Sequence, residues 1–171
     1  MAFDDTILPN FVIADLYKNS LIEPSLNEFV ISEKNDNKSG IRFLGENKKN
    51  IAIIVQDDEA VFIGEEKLQL LSNLLTACKL NLADVAIVNI GNKNTSYKQI
   101  KEEIEPQFLL LMGINSKAFQ LPLIFPEYKI QQYDNCKMLI ATDLNNLLGN
   151  SNDVKMEKSK LWLCLKQLFA I

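Results

Sequence analysis

The sequence predicts an α/β protein, a three-layer α/β/α sandwich around a four-stranded parallel sheet. Three observations carry this expectation. Four short apolar runs, Ile51–Val55, 84–90, Phe108–Met112 and 138–141, show no in–out alternation. Such runs fit strands buried on both faces, as in a parallel sheet. From residue 51 onward these runs are separated by helical stretches, and that order builds right-handed βαβ units. The third is length: 171 residues suit one domain, burying roughly 70% of the surface its unfolded chain would expose.

The elements follow in chain order. Residues 8–20 carry Phe11, Ile13, Ala14, Leu16 and Tyr17 as a loose helical stripe. A polar cluster from Glu33 to Gly40 reads as a flexible loop. It sets off residues 1–40 as an amino-terminal arm from a single α/β/α domain at 41–171. Residues 41–44 read as a short strand and 45–47 as a turn. In 65–79, Leu68, Leu71, Leu75 and Cys78 share one helical face. Glu65 and Glu66 favour the start of that helix and Lys79 its end. Thr95 or Ser96 can cap a short helix to Ile104, with Pro106 beyond it. A turn at 113–116 leads into a short helix near 117–119. The segment 121–133, with Pro122 and Pro126, should be irregular. Residues 143–148 form a short helical piece. Asp153 is expected to cap a last helix with Trp162, Leu165 and Phe169 on one face.

Composition narrows the chemistry. There is no histidine, so the commonest general base, metal ligand and nucleophile partner are missing. The three cysteines, Cys78, Cys136 and Cys164, form no CxxC pair, and neither a zinc site nor an iron–sulfur cluster is expected. Cys78 and Cys164 read as small core residues on helix faces. A net charge of −4 argues against non-specific binding to the DNA backbone. The amino terminus lacks the basic region of a secretory signal, and no apolar run approaches the ~20 residues of a membrane span. The expected location is the cytoplasm, with no membrane contact.

No Gly-rich phosphate loop and no GxSxG elbow follows any strand, and no cofactor is expected. Ligands of open α/β sheets sit at the carboxyl ends of the strands. There the sequence offers Gln56, Asp57, Asp58 and Glu59, then Asn89 and the 91–94 loop, then Gly113, Asn115 and Ser116, then Thr142 and Asp143. Carboxylates from two strand ends could activate water or hold Mg²⁺. The simpler reading is that they are the polar residues of solvent-facing loops.

The order IAIIVQ, DDEAV, Phe62-Ile63-Gly64, then LQLLSNLLTACKLNLADVAIVN resembles the uracil-DNA glycosylase superfamily, chiefly its iron–sulfur branch. FLLLMG at 108–113, Ala141-Thr142-Asp143-Leu144 and the closing helix with Trp162 extend the likeness to about two-thirds of the chain. The resemblance implies that Phe62 stands where uracil stacks, Asn89 where the base edge is read, and Thr142 or Asp143 where the family has its histidine. The functional motifs do not match. The water-activating loop is Asp57-Asp58-Glu59-Ala60, without Gly or Pro, and the cluster cysteines are missing. An aspartate near the lost histidine would repel a developing anion.

The psi-subunit family of bacterial DNA polymerase III has this fold without the chemistry and links the clamp loader to single-strand-binding machinery. Residues 16–24 are loosely similar to its arm. The resemblance implies a non-catalytic protein–protein adaptor in DNA replication with clamp-loader subunits as partners, Phe11, Ile13, Leu16 and Tyr17 supplying apolar anchors. The alternative is a divergent nucleobase glycosylase or hydrolase in which Asp57, Asp58 or Glu59 activates water, with Asn89 and Asp143 nearby.

Overall fold

A computed structural model describes residues 40–91 and 95–171. The chain divides into two units, Met1–Lys34 and Asn35–Ile171, and the fold below belongs to the second. The proposed anchors Phe11, Ile13, Leu16 and Tyr17 lie outside the described residues, as do Asn92, Lys93 and Asn94.

The α/β class is as expected; the four-stranded parallel sheet is not. The described residues form one six-stranded mixed sheet. Its strands are β1 (Leu44–Gly45), β2 (Ile51–Val55), β3 (Val85–Asn89), β4 (Phe108–Met112), β5 (Ile130–Tyr133) and β6 (Cys136–Ala141), in the order β1-β3-β2-β4-β6-β5. The four expected strands are the inner, parallel ones. β1 and β5 add antiparallel edges. Both edges are short and partly exposed, so they lack the apolar run that marks a central strand. β5 occupies the end of the segment expected to be irregular. A turn at Asp134 and Asn135, both at positive φ, returns it into β6. Such a two-residue turn matches the twist of a hairpin.

Alternation along each inner strand builds two cores. Ile51, Ile53, Val55, Val85, Ile87, Leu110, Met112, Leu139 and Ala141 face one side. Ala52, Ile54, Ala86, Val88, Leu109, Leu111, Met138 and Ile140 face the other. The first face is covered by α1 (Glu65–Ala77), through Leu71 and Leu75, and by α3 (Asn152–Phe169), through Leu161, Leu165 and Leu168. The second is covered by α2 (Tyr97–Ile104), through Tyr97, Ile100 and Ile104, and by Ile114, Phe119, Leu121 and Phe125 of the 113–129 connection. Burying each large aliphatic side chain contributes roughly 1.5–3 kcal/mol, so both faces are needed to hold the sheet.

Helix ends follow local chemistry. α1 stops at Cys78, with Lys79 in the left-handed region and Leu80 N–H donating to the Leu75 carbonyl at 2.9 Å. Ser96 caps α2 in a reciprocal capping box with Gln99. α3 is capped by Ser151, whose hydroxyl accepts from Val154 N–H. Asp153, the expected cap, lies in its first turn, where a carboxylate still favours the positive end of the helix. Residues 117–119 form a turn and no helix.

This winding positions the candidate site. After β2 the chain leaves toward the first face and α1; after β4 it leaves toward the second face. The carboxyl ends of β2 and β4 therefore flank a topological switch point, the place where open α/β sheets bind ligands.

Candidate functional site

The loops at the strand ends gather into two pairs, one on each side of the switch point. The first joins the segments after β2 and β3. Asn89, the last residue of β3, reaches across to the loop that follows β2. Its Nδ2 donates to the carbonyls of Asp57 at 2.7 Å and Ala60 at 2.8 Å, with Val61 more distant at 3.4 Å. Its Oδ1 accepts from Asp57 N–H at 3.0 Å and Gly91 N–H at 2.9 Å. An asparagine amide has two donor hydrogens and two acceptor lone pairs, and backbone groups occupy all of them. Gly91 lies so close to this loop that a Cβ there would meet the Asp57 carbonyl oxygen at 2.9 Å.

Asp57 is committed in the same way. It is buried, at 5% exposure. Its Oδ2 accepts from Gly64 N–H at 2.9 Å and pairs with Lys67 Nζ at 3.1 Å, and its Oδ1 accepts from Glu59 N–H at 3.3 Å. The Gly64 amide, reinforced by Lys67 and the Glu59 amide, holds the Asp57 carboxyl below the usual carboxylate range against the opposing effect of burial. The carboxylate secures the entry into α1, whose own cap residue, Gly64, has no side chain to do so. Asp58 and Glu59 are exposed, with Asp58 Oδ1 lying against Gly91. Phe62 is half-buried and packs against the first core.

The second pair joins the segments after β4 and β6. Gly113 sits at φ +72°, and a Cβ there would stand 2.7 Å from Asp143 Cβ and 2.9 Å from Asp143 Cα. Asp143 caps the short 3₁₀ turn Leu144–Leu147, its Oδ1 accepting from Asn145 N–H at 2.7 Å. Thr142 Oγ1 accepts from Asn146 Nδ2 at 2.9 Å. Tyr128 ties this end to α3. Its backbone N–H donates to the Ile140 carbonyl at 2.8 Å, its hydroxyl donates to the Glu157 carboxylate, and its carbonyl accepts from the Cys164 thiol at 3.3 Å. Burial, with Glu157 beside it, pushes the Tyr128 hydroxyl well above its ordinary pKa; Lys160 and that hydroxyl hold Glu157 below its own.

The structure thus groups Asp57 with Asn89, Gly64 and Lys67, and Asp143 with Gly113. Among the described residues no cluster of three or more His, Cys, Asp or Glu side chains could hold a metal ion. Cys78 and Cys136 are buried and Cys164 is half-buried. Burial raises the pKa of all three, Cys136 to about 11, which disfavours the reactive thiolate.

Two participants carried no sequence signal. Lys67 is one more charge at the start of an amphipathic helix, and Tyr128 sits in a proline-bearing segment without periodicity. Family models and curated proteins were both compared with the chain, and none matches it.

Proposed function

We propose that this chain is a non-catalytic protein–protein adaptor of the replication machinery. In this reading it acts as a psi-like clamp-loader subunit, and Phe62, Asn89 and Thr142 are the remnant of a base pocket. The observation that carries the non-catalytic part is the saturated amide of Asn89. The residue that the resemblance places at the base edge has all four hydrogen-bonding positions taken by backbone, so none is left to read a nucleobase. Asp57 points the same way. A general base must reach the proton it abstracts, and this carboxylate already receives two backbone N–H groups and Lys67. The identity of the partner rests on the sequence resemblance alone.

The test is affinity purification of the tagged full chain from its native cells, with mass spectrometry of the co-purifying proteins. Clamp-loader subunits are expected, and they should disappear when residues 1–24 are deleted. Their absence from the wild-type sample overturns the replication reading. Excision of uracil or another damaged base by the purified protein, abolished in Asp57→Asn, overturns the non-catalytic one.

A further inference from the structure

We draw no further inference here: the strongest candidate, the small apolar cavity under α1 and α3 lined by Leu71, Leu74, Leu75, Leu161, Leu165 and Phe169, is a packing gap of the first core, lined mostly by buried residues that hold the helices on the sheet.

Discussion

The two loop pairs at the carboxyl ends of the sheet are closed by different means. On the β2–β3 side, closure is polar: one amide and one carboxylate satisfy a run of backbone groups that would otherwise lack partners. On the β4–β6 side, closure depends mainly on close backbone approach, with Gly113 seated against Asp143, local turn bonds at Thr142 and Asp143, and Tyr128 tying the end to α3. The difference teaches where each region is vulnerable. A polar knot fails when its hub is removed, because several buried groups lose partners together. A steric closure fails when an atom is added.

The largest expected effect is at the hub. Asn89→Ala leaves the Asp57 and Gly91 N–H groups and the Asp57 and Ala60 carbonyls without their partner. With each unsatisfied buried group costing ~1–3 kcal/mol and water reaching some of them, the total loss should be about 3 kcal/mol. Urea unfolding followed by circular dichroism measures it. Asn89→Asp should recover only part of that loss, since a carboxylate accepts from the two N–H groups but cannot donate to the carbonyls. A loss below about 1 kcal/mol for Asn89→Ala would break the contrast between the two pairs.

Next comes the steric side. Gly113→Ala places a methyl against the Asp143 backbone in a left-handed conformation, and should cost about 2 kcal/mol in the same assay. A neutral result would mean that this closure yields easily, and the polar pair alone would define the strand-end architecture.

Asp57→Asn tests the electrostatic part of the polar knot and should destabilise by about 1–2 kcal/mol near neutral pH. Its sign with pH follows from the lowered pKa. The Asp57 carboxyl titrates below its ordinary 3.8 in the folded state. Its stabilisation is therefore complete above that value and is lost as pH falls from it toward the folded pKa. The stability difference between wild type and variant should be flat from pH 7 to about pH 5 and shrink toward pH 3. A difference that grows on acidification would contradict the geometry described for Asp57.

The smallest effect is expected for Asp143→Ala, which removes one exposed capping bond from a short 3₁₀ turn and should cost about 1 kcal/mol or less. Equal losses for Asp57→Asn and Asp143→Ala would erase the distinction between a structural carboxylate and a local cap.

Legibility from sequence followed burial. The runs IAIIV and FLLLM announced central strands because only a strand covered on both faces tolerates apolar residues at every position. The sheet edges were illegible for the converse reason. β1 is two residues long and β5 is IQQY, and each becomes a strand by pairing with a neighbour rather than through its own pattern. Ser151 displaced Asp153 as the cap of α3 because both residue types cap well, and backbone position alone distinguishes them.

The candidate site divides in the same way. Asp57, Asp58 and Glu59 are three consecutive acids, chemically near-equivalent on paper. Tertiary structure turns Asp57 inward onto Gly64 and Lys67 and leaves the other two exposed. The sequence by itself determined the α/β class, the four inner strands and the exclusion of histidine chemistry, since these follow from residue type and short-range periodicity. Tertiary structure decided the mixed sheet, the closure of the strand ends and the saturation of Asn89. Those depend on backbone groups brought together from residues 29 to 32 positions apart, and neither periodicity nor composition encodes which groups meet.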